Sequence, residues 1–350
     1  RFSYFCNYGL NVRERQKAEI NSMQYGTIVH YILERFFGEY TKEEYLSLEE
    51  DKFQKIVCAY LAEYAVKYFG EEQLESNSFT YRLKTILDNV MYLMKHIMEE
   101  LSQSEFFVAD CELKIGEDIP SYTIVLPDGH KIAVCGSVDR VDIMQRADVT
   151  YLRIIDYKTG KKQFKLSDIL YGINLQMLLY LHSIEASGGD KYGEIVPAGI
   201  LYMPATVPYI SSDSLKSIDK LPDELNKELK MNGLLLKDTE IIHGMDKTDV
   251  ATYIPVKIKA GEPVSSTSLA TLAEFGKIFK KVDMLIAEMG KNIYNGNIEA
   301  KPLKGGHDSC KHCPYDSVCA YRQSNPITCF SVDNKTVIEE ITNEINGKEE

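Results

Sequence analysis

The chain has 350 residues, with 40 Lys and Arg against 52 Asp and Glu, a net charge of −12 and 44% hydrophobic residues. No apolar run approaches the ~18–20 residues that a membrane-spanning helix needs, and the apolar fraction is too high for a wholly disordered chain. The acidic balance argues against a protein that coats nucleic acid unaided, because phosphate neutralisation calls for a basic face.

The chain opens on Arg1 and an aromatic cluster, Phe2 to Tyr8, with neither initiator Met nor signal peptide. That start is expected of a fragment of a longer protein. From Gly26 to Phe37 apolar residues recur at Ile28, Val29, Ile32, Leu33, Phe36 and Phe37, the spacing of a helix that carries His30 in its first turns. Two longer helical patterns follow, over 43–69 and 74–101. Residues 106–115 predict a strand. A hairpin is predicted from 122–126 and 131–136 around the turn Pro127-Asp128-Gly129. Strand patterns continue through 136–144 and 151–157, a helix through 167–184, and another strand through 195–203. From Ala205 to about Gly261 the pattern weakens into charged and Ser/Asp-rich sequence, which predicts an insertion on the surface of the core. A helix over 269–290 leads to a cysteine-bearing segment, and 331–350 predicts a polar tail with a faint helical pattern. The succession predicts one α/β domain over 1–330: a helical region to 105, a catalytic core over 106–204, the insertion over 205–261, and the helix and cysteine segment over 262–330.

Asp139 lies in Gly136-Ser137-Val138-Asp139-Arg140, and Asp156 and Lys158 lie in Ile154-Ile155-Asp156-Tyr157-Lys158-Thr159-Gly160. Two apart on a strand, Asp156 and Lys158 share a face, and an Asp from the preceding strand can meet them there. Two carboxylates at one point suit Mg²⁺ or Mn²⁺, and an ammonium beside them suits a charged phosphate transition state. A lone Asp-x-Lys is ordinarily a solvated pair at a strand end. Here it follows an apolar half-strand and precedes a glycine turn. The basic strip Lys158, Lys161, Lys162 and Lys165 begins at it, and a helix carrying Gln176 and Tyr180, four apart on one face, comes next.

The ordered set resembles the RecB-like branch of the PD-(D/E)xK nucleases, and more narrowly the nuclease domain of the AddB family of helicase/nuclease subunits. Gly26-Thr27-Ile28-Val29-His30 is similar to that branch's helical His motif, Phe2 to Leu10 to the entry of the AddB domain, and Lys230 to Leu236 to a further AddB segment. The resemblance implies a restriction-endonuclease-like core, a mixed central sheet flanked by helices. It implies His30, Asp139 and Asp156 as ligands of a divalent cation, Lys158 as catalytic base or electrostatic stabiliser, and Gln176 and Tyr180 as positioning groups. Glu112 falls within reach of the same site. The implied activity is an exonuclease on single-stranded DNA, on the 5′-terminated strand, during double-strand break repair in the cytoplasm, with an AddA motor subunit as partner. Two other readings remain: a CRISPR-associated iron–sulfur nuclease, and a non-catalytic module that binds DNA or a partner.

Of eight cysteines, Cys6, Cys58, Cys111 and Cys135 are scattered, mostly in apolar contexts that suit buried thiols. Cys310, Cys313 and Cys319 follow the spacing C-x₂-C-x₅-C, with Cys329 trailing, and three thiolates this close suggest a metal or iron–sulfur site. The AddB resemblance implies a [4Fe–4S] cluster closed by a cysteine ahead of the aromatic entry segment, a position before Arg1. The cluster is therefore expected whole in a parent protein and absent or incomplete in this fragment; a full cluster here would require another ligand, Cys6 or Cys329.

Overall fold

The computed structural model describes residues 1–12, 22–160, 162–207, 221–265, 267–311, 313–319, 321 and 326–349. Its centre is a mixed six-stranded sheet. The strands are β1 (Phe107–Ile115), β4 (Gly136–Arg146), β5 (Val149–Lys158), β6 (Glu194–Pro204), β7 (Asn232–Leu236) and β8 (Leu269–Ala270), in that spatial order. β2 (Tyr122–Val125) and β3 (Lys131–Val134) form the expected hairpin as a separate two-stranded sheet. β4 runs antiparallel to both β1 and β5, whereas β5 and β6 are parallel. A parallel pair needs a long crossover, and the segment holding helix α4 (Gln176–Ser187) provides it. Ile154, Ile155, Ile200 and Leu201 are all fully buried, as central strands covered on both faces should be. The flanking helices are α1 (Ser22–Glu39), α2 (Glu50–Phe69) and α3 (Asn77–Ser102) ahead of the sheet, and α5 (Leu272–Tyr294) and α6 (Asn334–Glu349) after it. The architecture is the α/β class anticipated from sequence.

Several expected elements differ in detail. The pattern over 43–69 divides into a short helix, Lys42–Leu46, and α2. Thr41 and Glu44 cap the short helix reciprocally, which fixes its start, and it ends at Ser47. The helix expected over 167–184 is broken. Residues Leu166–Tyr171 form a 3₁₀ turn, Gly172 (φ 69°) and Asn174 (φ 54°) turn left-handed, and α4 restarts at Gln176. Leu269 and Ala270 belong to β8, and the helix after them is set by the Thr271–Glu274 capping box.

The 205–261 segment is not confined to the surface, although 208–220 lie outside the described residues. Its β7 pairs antiparallel with β6 through Gly199↔Leu235 and Tyr202↔Asn232, and Leu234 and Leu235 are fully buried. A five-residue strand with Asn and Gly at its head is too short to stand out beside charged neighbours. The 331–350 tail likewise packs: Val337 and Ile341 are fully buried, and the Lys281 ammonium of α5 meets Glu344 of α6.

Beneath the end of the sheet that carries Asp139 and Asp156, four charged side chains are wholly buried. Arg140 Nη2 donates to Glu100 Oε2 at 3.1 Å and to Asp142 Oδ2 at 2.8 Å. Arg153 donates to Glu100 Oε1 at 2.6 Å and, through Nε, to Asp142 Oδ2 at 3.0 Å. Arg140 Nη1 also donates to the Tyr157 hydroxyl at 3.2 Å. Two cations and two anions cancel, tying α3 to β4 and β5. Removing one charge leaves its partners buried and uncompensated, so Glu100→Gln is expected to lower unfolding free energy by about 3–5 kcal/mol. Urea denaturation of the two proteins measures it, and a loss below ~1 kcal/mol would show that the quartet relaxes freely.

Candidate active site

His30 is held by the apolar stripe that builds its helix. Ile28, Val29, Ile32, Leu33 and Phe36 are buried, which clamps α1 and leaves His30 on its flank with 28% of its side chain exposed. Asp139 and Asp156 come from the antiparallel pair β4–β5. Its register runs Val141↔Ile154 and Arg140↔Ile155, so the next step sets Asp139 across from Asp156. There the Asp139 side chain enters the ladder, accepting the Tyr157 backbone N–H on Oδ2 at 2.9 Å. On the other flank, Cys111↔Arg140 and Leu113↔Val138 set Glu112 opposite Asp139. Glu112 has φ 51°, a left-handed conformation that costs of order 1–3 kcal/mol for a non-glycine residue inside a strand.

These four elements gather their side chains at one place. His30 Nδ1 lies 2.9 Å from Glu112 Oε1, and His30 Nε2 lies 3.6 Å from Asp139 Oδ2. Ser137 donates to the other Glu112 oxygen at 2.7 Å. Glu112 therefore fixes the imidazole through one nitrogen and leaves the other facing Asp139, the arrangement by which a carboxylate orients a metal-binding histidine. The Lys158 ammonium forms an ion pair with the buried Asp156 Oδ2.

The electrostatics show an excess of negative charge. Burial, together with the charges of Asp156 and Glu112, pushes Asp139 up to about 6 against the opposing pull of His30 and the Tyr157 N–H. Burial disfavours charge on His30, but the Glu112 hydrogen bond and the charges of Asp139, Glu112 and Asp156 outweigh it and raise its pKa. The hydrogen bond from His30 holds Glu112 below the usual carboxylate range. Among the described residues, the donor atoms of His30, Glu112 and Asp139 lie within 4.8 Å of one another. An imidazole and two clustered carboxylates fit a divalent cation; Asp156, paired with Lys158, stands outside that group of three.

A cavity of about 960 Å³ opens beside the cluster, lined by His30, Glu112, Tyr157 and Lys158 among others but not by Asp139 or Asp156. A second cavity of about 980 Å³, around Lys230, Lys257 and Lys259, lies among lysines and aliphatic side chains and has no such acid–imidazole group. Lys162 lines the first cavity, its ammonium 4.6 Å from the centroid of the Tyr202 ring; Lys165 is exposed, and Lys161 lies outside the described residues. Gln176 and Tyr180 do not line it. Gln176 is exposed at the start of α4. Tyr180 packs on Gly136, where a Cβ would stand 2.2 Å from its hydroxyl oxygen. The Gly-x-x-Asp and Gln-x-x-x-Tyr motifs thus meet mechanically: the glycine makes room for the ring beside the head of β4. Glu112 is only peripheral in the sequence, and its left-handed backbone has no sequence signature. A carboxylate inside an apolar strand is the available signal.

The cysteine segment folds as a turn, with Cys313 N–H to Cys310 C=O at 3.2 Å and Cys319 N–H to Tyr315 C=O at 2.8 Å. The Tyr315 hydroxyl donates to the Val12 carbonyl at 3.2 Å, and the Val12 N–H donates to the Cys6 carbonyl at 3.0 Å. The segment is thereby joined to the start of the chain. Cys310, Cys313 and Cys319 are half-buried, and Cys6 and Cys329 buried.

A sequence model of the PD-(D/E)XK nuclease superfamily matches residues 1–320. The chain belongs to this superfamily. Its relatives include the B subunits of ATP-dependent helicase/deoxyribonucleases. The one from Thermoanaerobacter sp. (strain X514) is 34% identical over 332 residues, which covers 91% of this chain and 28% of the relative. The one from Alkaliphilus oremlandii is 32% identical over 360 residues, 98% of this chain and 31% of the relative. That of Clostridium acetobutylicum is 32% identical over 360 residues, 98% of this chain and 30% of the relative. The chain thus spans about three-tenths of the length of these relatives. Among the described residues no helix is long and apolar enough to cross a membrane.

The raised Asp139 sets a pH dependence. Below about 6 the carboxyl holds a proton that a cation must displace, and His30 holds a second. Mn²⁺ affinity is expected to fall at least about tenfold from pH 7 to pH 5, which calorimetric titration measures. A flat profile would mean that neither group binds the ion.

Proposed function

We propose that this chain is the nuclease module of a helicase/nuclease complex and hydrolyses phosphodiester bonds in single-stranded DNA. The observation that carries the proposal is the convergence of His30, Asp139, Asp156 and Lys158 at one end of β4 and β5. His30, Asp139 and Asp156 would hold Mg²⁺ or Mn²⁺, which when bound supplies a positive centre for the phosphate and its attacking water. Glu112 holds the His30 ring in place. Lys158 offers its ammonium to the charge that grows on the phosphate in the transition state, where preorganised cations act most strongly. Lys162 extends positive charge along the cavity. Tyr180, packed on Gly136, positions the head of β4, and Gln176, exposed at the start of α4, would contact the DNA backbone outside the cavity.

The relatives are named as B subunits of an ATP-dependent helicase/deoxyribonuclease, and that name supports DNA as substrate and a partner subunit; the finer part of the reading rests on the AddB resemblance alone. The partner is a motor subunit of the AddA type, the substrate is the 5′-terminated strand, and the setting is exonucleolytic processing of double-strand breaks in the cytoplasm. Cys310, Cys313 and Cys319 would supply three thiolates of a [4Fe–4S] cluster, and the hydrogen bonds through Tyr315 and Val12 support its role as a staple between the two ends of the domain. Residues 1–330 form one nuclease domain, to which α6 adds a packed helix.

Two measurements test this. Asp156→Ala and Lys158→Ala are each expected to reduce Mg²⁺-dependent cleavage of end-labelled single strands at least about a hundredfold, with thermal unfolding unchanged. Cleavage by Asp156→Ala at the parent rate would sink the assignment. Anaerobically purified protein is expected to carry iron and sulfide, at fewer than four irons per chain, that Cys313→Ala loses; bound zinc instead would make the segment a structural finger.

A further inference from the structure

α2 carries Tyr60, Tyr64 and Tyr68 at intervals of four, one stripe along the helix. Tyr31 follows His30 on α1. The Tyr64 and Tyr68 rings are 4.4 Å apart between centroids and tilted by 35°, and the Tyr31 and Tyr64 rings are 5.2 Å apart. Tyr31, Tyr64 and Tyr68 line the same cavity as His30, Glu112 and Lys158. Within this group the exposures differ sharply: Tyr64 is 5% exposed and Tyr68 is 55% exposed. Tyr64 is thus the backing, and Tyr68 is a ring held against it with most of its surface open. The Lys67 ammonium stands 5.1 Å from the Tyr68 centroid. Glu63 of the same helix is engaged by Arg35 and the Tyr31 hydroxyl.

A half-exposed aromatic ring in a polar cavity offers a flat apolar face that an occupant with a matching face can cover. Lys114, Lys158 and Lys162 line the same cavity, beside Glu34 and Glu112, and give a phosphate backbone cationic contacts. Lysines and open aromatic rings in one groove are what a single strand requires, with charge for its phosphates and a flat face for its unstacked bases. A duplex fits less well, because its bases are paired and stacked on one another.

We propose that Tyr68, backed by Tyr64 and flanked by Tyr31, is a stacking platform for a base of single-stranded DNA next to the phosphate to be cut. It deepens the nuclease reading and rests on it, by naming the residue that selects single-stranded substrate. The ring sits beside the helix of His30, so a base stacked there draws the neighbouring phosphate toward the carboxylates. Selection for single strands then occurs at binding, before the chemistry.

The chain contains no tryptophan, so Tyr68→Trp creates a single fluorescent reporter at the platform. In EDTA, where no strand is cut, adding oligothymidylate to this variant is expected to quench the tryptophan emission. A duplex of the same length is expected to leave it unchanged. Tyr68→Ala is expected to weaken oligothymidylate binding by about five- to a hundredfold, measured by fluorescence anisotropy, while Tyr68→Phe stays near the parent value. Binding by Tyr68→Ala within twofold of the parent, no quenching in Tyr68→Trp, or equal quenching by duplex would each overturn the platform. Because binding is read without cleavage, failure of the nuclease reading appears separately, as a parent chain that binds the strand and leaves it intact with Mg²⁺ and Mn²⁺.

Discussion

The buried quartet of Arg140, Arg153, Glu100 and Asp142 constrains everything above it. Asp142 and Arg153 face each other across β4 and β5, and Glu100 reaches both arginines from α3. A slip of one residue in this pairing would place the four charges against apolar neighbours and move Asp139 away from Asp156, since a strand's faces alternate. Three polar atoms of the quartet, Arg140 Nε, Asp142 Oδ1 and Arg153 Nη1, are buried without a hydrogen bond. A hydrophobic isostere of such a group is often equally stable or more so. Its contribution is to register: it defines which residues of β4 and β5 are opposite one another.

From that register the site follows in short steps. β4 and β5 pair regularly up to Arg140 and Ile155; there the Asp139 carboxylate takes the Tyr157 N–H and the strands part. Parting opens the cavity. Tyr157 links the two levels, its hydroxyl on Arg140 below and its backbone on Asp139 above. The neighbouring β1 then contributes Glu112, at the cost of a left-handed residue in a strand, and Glu112 in turn holds His30. Strain at that point is consistent with a functional position, since the rest of the strand pairs on either side of it.

Much of this is legible in the sequence because the relevant signals are local. His30 follows an apolar helical stripe, and Asp156 and Lys158 are two apart at the end of an apolar strand. Alternation alone therefore places them on common faces. Glu112 is harder to place, because its role depends on a long-range register and a backbone conformation that no spacing reports. β7 reads as part of an insertion, because five residues led by Asn and Gly carry too little pattern to announce a core strand. The break at Gly172 is hidden because Leu170, Ile173 and Met177 keep a helical spacing across it. The tyrosine stripe of α2 is visible in sequence only as helix. Its exposure and its cavity come from the packing of α2 beside α1.

The central claim is that His30, Asp139 and Asp156 share one divalent cation beside Lys158. The most direct test is a crystal of this protein grown with Mn²⁺ and measured at a wavelength where manganese scatters anomalously. The account predicts an anomalous peak within coordination distance of His30 Nε2 and both aspartates, with Glu112 still on His30 Nδ1. A peak that leaves out Asp156, or none at saturating Mn²⁺, would contradict it.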